Sequence, residues 1–218
     1  MSNSAHEAAE QLRAIRALME RSTIYRAISA PAAAFAGVLS LVVSGWMWLH
    51  RNPGEVPRPT VFVLIWAGVL VAVSAVNTVL LYRSATQRGE AFISSGMKHA
   101  LRALLPPLLA GFILSLLQIN QAGAAGESCH TDIAAFWILF YGLALLATGS
   151  FSPRSMQALG AGFFILGILT FLPPVRAPGD RQFPVAVIFM AVSFGLLHLV
   201  YAAAVWIQNR RDSTSAGA

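Results

Sequence analysis

Hydrophobic positions fall into six long, nearly uncharged runs, at 27–49, 60–82, 101–119, 133–148, 156–172 and 183–207, separated by polar connections. About 20 apolar residues rising 1.5 Å each span a hydrocarbon core of about 30 Å. The pattern therefore predicts an all-α polytopic membrane protein with six transmembrane helices. The fourth and fifth runs are short for such a core, so their ends should extend into 149–155 or thin the bilayer locally, as a tight hairpin. Asn52-Pro53-Gly54 and Pro57-Arg58-Pro59 break the chain between helices one and two, and Pro173-Pro174 with Pro178-Gly179 does so between five and six. Pro106-Pro107 lies just inside the third run, where it should kink that helix or mark its first turn.

Before the first run the pattern changes. Ala8, Leu12, Ile15 and Met19 recur at helical spacing, while Glu10, Arg13 and Glu20 fall on other faces. Residues 1–23 are read as an amphipathic cytoplasmic or interfacial helix, 24–208 as the transmembrane domain and 209–218 as a disordered cytoplasmic tail. The first apolar stretch starts too late and runs too long for a cleavable signal, so a retained N-terminus is expected.

Composition supports this reading: 56% of the 218 residues are hydrophobic and 11% charged, and mean hydropathy is +0.65, which excludes an ordinary soluble domain. The basic pI near 10.4 does not point to nucleic acid, because the cations sit beside membrane runs. Eleven Lys and Arg residues (13, 16, 21, 26, 83, 88, 98, 102, 154, 210 and 211) fall on one side, against four (51, 58, 176 and 181) on the other. This bias places both termini in the cytoplasm. Trp46, Trp48, Trp66 and Trp137 then form an outer aromatic belt, with Tyr25, Tyr82 and Trp206 near the inner boundary. Cations in the 83–102 connection, which is read as partly interfacial, gain about 1 kcal/mol each beside anionic lipids.

Candidate chemistry is sparse. No Asp, Glu, Lys or Arg lies in the centre of any run, which argues against an ion-coupled pump or a voltage sensor. His198 lies on one face of helix six with Ala191, Gly195 and Ala202. Ser74, Asn77 and Thr78 on helix two, with Tyr201, complete a candidate intramembrane polar cluster around it, in which His198 makes interhelical hydrogen bonds. A haem or metal role for His198, with His99 as second ligand, is the sharper alternative. Cys129, His130 and Asp132 with Glu127 and His50 are metal-capable types without a zinc spacing, and Cys129 has no partner cysteine. No nucleophile motif, paired carboxylates or phosphate loop is present, so no catalytic residue and no cofactor is assigned and an enzyme is not expected. Ala30, Ala33, Gly37, Ser40 and Ser44 form a small-residue stripe on helix one, suited to close packing within the monomer or across a dimer, with the intramolecular packing preferred.

The segment Leu12-Arg13-Ala14-Ile15-Arg16-Ala17-Leu18-Met19-Glu20-Arg21-Ser22-Thr23, with Phe140-Tyr141-Gly142-Leu143-Ala144 and Phe194-Gly195-Leu196-Leu197-His198-Leu199-Val200-Tyr201, resembles a group of small bacterial integral membrane proteins. The resemblance implies a bacterial inner membrane and carries no functional residue. The leading expectation is a non-enzymatic accessory, scaffold or regulatory subunit in contact with the bilayer, its anionic lipids and a protein partner or second copy. The alternative is a small-solute or lipid-like transporter or channel, and third comes a haem or metal membrane protein.

Overall fold

The computed structural model describes residues 28–51, 56–87, 89, 95–125, 127–149, 152–172 and 179–215; the expected N-terminal amphipathic helix lies outside them. All regular structure among these residues is helical: α1 (Ala30–Leu49), α2 (Pro59–Gln87), α3 (Ser95–Ala125), α4 (His130–Ala147), α5 (Arg154–Leu169), a 3-10 turn (Gly179–Arg181), and a last rod. The rod is built from α6 (Gln182–Met190), a π segment (Ala191–Leu197) and α7 (His198–Ser215). Five stretches, α1, α2, 97–125 within α3, α4 and 182–211 of the rod, are long and apolar enough to cross a membrane.

The departures from the expected boundaries have local causes. α4 starts at His130, which brings Asp132 into its first turn, where the exposed N–H groups of the helix favour an acid. This extension gives α4 18 residues, about 27 Å of rise. α5 stays short at 16 residues, about 24 Å. Pro106 and Pro107 lie well inside α3, so they do not mark its first turn; α3 starts at Ser95 and absorbs part of the connection expected to be interfacial.

Close backbone approach organises the packing, as it must where lipid removes the hydrophobic gain from helix association. α4 and α5 form the expected hairpin. A Cβ on Gly142 would sit 2.5 Å from the Phe164 nitrogen, and one on Gly167 would sit 2.6 Å from the Leu139 Cα. The turn is tied by the Gln157 amide, which donates to the carbonyls of Gly149 (2.7 Å) and Ser152 (3.2 Å). The α1 stripe faces the rod: Ala33, Gly37, Ser40 and Ser44 are buried. A Cβ on Gly37 would meet the Leu199 side chain at 2.6 Å, and one on Gly195 would meet Leu41 at 2.6 Å. Each glycine thus receives a leucine from the opposite helix, inside one monomer.

α2 and α3 pack on this core but not extensively on one another. α2 packs on α1 and touches α4, α3 packs on α4, and no extensive contact joins α2 to α3. Their outer faces are apolar and exposed, with Leu64 at 70%, Val71 at 68% and Leu109 at 53%, as lipid-facing surfaces are. The aromatic expectation needs correction at two positions. Trp66 is 2% exposed and packs near Phe62 and Phe194, and Trp137 is half-buried and donates to Ser115 Oγ at 2.8 Å. Both belong to the interior and not to an interfacial belt.

The α1 geometry gives a first prediction. Gly37→Leu forces bulk against Leu199 and the Gly195 carbonyl and should cost a few kcal/mol. Val38→Leu, at a position 55% exposed, should change stability by about 0.5 kcal/mol or less. Equal thermal midpoints in detergent would mean that the Gly37 contact is not a packing determinant.

Candidate functional site

A cavity of about 180 Å³ lies among α1, α2, α3, α4 and the rod. Ala36 and Ser40 of α1, Trp66 and Val69 of α2, Gly111 and Phe112 of α3, Trp137, Phe140 and Tyr141 of α4, and Met190, Phe194 and His198 of the rod contribute to its walls. The lining is apolar apart from Ser40, the two indoles, Tyr141 and His198, and it holds no charged side chain.

His198 is 3% exposed. Its Nε2 lies 3.0 Å from the Tyr141 hydroxyl. Its Nδ1 is buried without a hydrogen-bond partner. Around the pair stand Phe163, 4.7 Å from the Tyr141 ring and 5.3 Å from the imidazole, and Phe194, 5.2 Å from Tyr141. Trp66 extends this group, its ring 6.2 Å from Phe194, and its buried Nε1 has no hydrogen-bond partner.

The π segment explains why His198 points here. Its wider turn changes the phase of the rod. Gly195 therefore packs toward Leu41 of α1, while His198, three residues on, meets Tyr141 of α4 and Phe163 of α5. Simple α-helical spacing puts the two on one face.

The predicted polar cluster separates accordingly. Asn77 Oδ1 accepts from the Ser29 backbone N–H at 3.3 Å, and the Tyr201 hydroxyl donates to the Ile28 carbonyl at 3.1 Å. These two residues hold the same peptide unit, the one that leads into α1 through the Ser29 N-cap. Ser74 and Thr78 are exposed. Of the five residues, Asn77 and Tyr201 thus converge on the start of α1, and His198 belongs to the cavity with Tyr141, a partner that sequence reasoning missed. The signal available for Tyr141 was only its place beside Gly142, the close-packing glycine of α4.

The metal-capable residues at the other end occupy separate environments. The His130 ring stands edge-on to Phe62 (5.5 Å) and Phe183 (5.3 Å), with Nδ1 2.9 Å from Ser128 Oγ. Asp132 accepts from the Gln118 amide at 3.2 Å. His50 is exposed, its Nδ1 3.0 Å from the Trp46 carbonyl. Burial, and then the Asp132 carboxylate, push the Cys129 thiol up to about 11, so it stays protonated and unreactive at neutral pH. Among the described residues no three His, Cys, Asp or Glu side chains converge to hold a metal. His99 is exposed on α3, a helix packed chiefly on α4, and is not brought into the Tyr141–His198 pair.

No known protein family, curated protein or solved structure matches the chain.

The Tyr141–His198 pair yields a thermodynamic prediction. Tyr141→Phe and His198→Leu should each destabilise the protein, and the double variant should lose less than their sum, with a coupling of about 0.6–1.7 kcal/mol. His198→Gln, which keeps an acceptor and a donor, should lie closer to the wild type. Strict additivity in thermal unfolding would mean that the hydrogen bond is not formed. A haem spectrum or stoichiometric metal in the wild type, lost in both His198 variants, would assign a cofactor to this residue instead.

Proposed function

We propose that the protein is a non-enzymatic, multi-pass bacterial inner-membrane protein of six spanning helices, with both termini cytoplasmic, which binds a lipid-like molecule taken laterally from the bilayer. The observation that carries this reading is the apolar cavity lined in part by α2 and α3, two helices without extensive contact with one another. A site reached from lipid needs no charged gate or aqueous path, which agrees with walls that hold no ionisable residue except the Tyr141–His198 pair. This favours the lipid-like arm of the transporter reading over solute conduction. The scaffold reading loses one of its supports, because the small-residue stripe of α1 is used inside the monomer against the rod.

Topology is tested with single cysteines in a Cys129→Ser background. Gln87→Cys should resist an impermeant thiol reagent in intact cells, and Glu127→Cys should react, as the distribution of Lys and Arg requires. Labelling at Gln87 from outside would remove the six-span arrangement.

Ligand uptake is tested by photolabelling in nanodiscs with a fatty acid carrying a mid-chain diazirine. Label should appear on the cavity residues Val69, Val73 and Phe140 as well as on the outer surface. Ala67→Phe, which places a ring in the cavity, should suppress the interior label. Val71→Phe, on the lipid face of the same helix, should not. Label confined to outward residues such as Leu64 and Leu109 would overturn the proposal.

A further inference from the structure

We infer that the cavity holds the methyl-terminal end of one acyl chain of a membrane phospholipid whose headgroup stays at the interface, so that the site reads hydrocarbon and not the headgroup. The inference rests on the lipid-ligand reading above and adds which part of which lipid enters.

Depth is the first argument. Leu108, Gly111 and Phe112 line the cavity from the midpoint of α3 (Ser95–Ala125), and Trp137, Phe140 and Tyr141 do so from the midpoint of α4 (His130–Ala147). The contributions of α1 and the rod also fall near the middle of those spans. About 15 Å of hydrocarbon, half the thickness of the core, therefore separates the cavity from either interface. A headgroup anchored at the interface leaves only the far end of its chain at this level. The rim is suited to entry there, because Leu70 of α2 and Phe112 of α3 line the cavity and are also exposed on the outer surface.

Wall chemistry is the second. The polar side chains of the lining are turned to other uses: Trp137 donates its N–H to Ser115, and the Tyr141 hydroxyl and His198 Nε2 meet one another. The Trp66 Nε1 and the His198 Nδ1 are buried atoms, and Ser40 is 1% exposed. Water needs two to four polar partners, and this wall offers no such set. A charged headgroup or a carboxylate would be buried with no opposite charge among the lining residues. An apolar wall left empty forfeits its dispersion contacts, and the substance that borders the rim is lipid hydrocarbon. Size agrees with a chain end. An apolar cavity of about 150 Å³ accommodates benzene, so one of about 180 Å³ takes roughly seven carbons on the same scale.

The test places a diazirine on one acyl chain of phosphatidylcholine, phosphatidylethanolamine or phosphatidylglycerol, either close to the methyl end or close to the ester, in nanodiscs that contain the full chain. After irradiation, label is mapped on the half-buried cavity residues Phe140 and Phe194 and on the outward residue Leu109. The methyl-end probes should label Phe140 and Phe194 equally for the three headgroups, and the near-ester probes should leave both unlabelled. Ala67→Phe should remove the interior label while Leu109 keeps its own. Interior label from the near-ester probes that equals or exceeds that from the methyl-end probes would show that the cavity takes the polar end of the lipid, and interior label confined to one headgroup would show that the headgroup is read. Either result overturns this inference in the wild type, without recourse to a variant, while the lipid-ligand reading stands. Interior label from a methyl-end-labelled free fatty acid, with none from the phospholipids, would overturn the phospholipid as source. No interior label from any of these probes or from the mid-chain fatty acid would defeat both readings.

Discussion

In lipid, helices gain nothing from burying apolar side chains against one another, so which of them pack is decided by how closely their backbones can approach. That constraint sorts this chain into a core and a periphery. The α4–α5 hairpin closes over Gly142, Gly160 and Gly167, and α1 closes on the rod over Gly37 and Gly195. Each of these glycines leaves too little room for a Cβ, so each contact is one that a larger residue would prevent. Gly68 of α2 shows the contrast: a Cβ there would meet nothing within 4 Å. α2 lies against α1 without comparable interlocking, α3 is held by α4, and no extensive contact joins the two.

The same constraint explains which polar groups occur and where. With no water to hydrogen-bond in the hydrocarbon, polar groups gain most from partners within the protein, and many side chains here find them. Ser115 donates to the Gly111 carbonyl and accepts from Trp137, Ser193 donates to the Phe189 carbonyl, and Thr148 donates to the Leu145 carbonyl near the end of α4. Asn77 and Tyr201 hold the peptide that leads into α1. Against that background the Trp66 Nε1 and the His198 Nδ1 stand out as buried atoms without a partner on residues that line the cavity.

Much of the architecture is legible in the amino-acid order. Run lengths give the number and rough bounds of the helices, and the spacing of Ala33, Gly37, Ser40 and Ser44 gives the face by which α1 packs. The site is less legible, for two physical reasons. In helices apolar on all sides, hydrophobicity does not separate the inward face from the lipid face, so Trp66 reads as an interfacial anchor although it is interior. The second reason is the π segment. Helical spacing assumes a constant turn, and Ala191–Leu197 departs from it, which directs His198 away from the face that carries Gly195. Asn77 and Tyr201 are recognisable in the sequence as polar groups within apolar runs, but their shared target, the Ile28–Ser29 peptide, carries no side-chain signal at all.

The phase change in the rod also links packing to the cavity. A rod that stayed α-helical through 191–197 would carry His198 closer to the direction of Gly195, toward the crowded contact with α1, where Leu41 already fills the space. The wider turn resolves that conflict by serving both neighbours. Gly195 stays against α1, and the imidazole swings to the floor of the cavity, where the Tyr141 hydroxyl meets it. A neutral histidine bonded to a neutral phenol needs no counter-ion, so the chain places polar atoms at this depth without the cost that a charge would bring. The outcome is an apolar cavity without a charged side chain, whose wall carries one buried pair of neutral hydrogen-bonding groups.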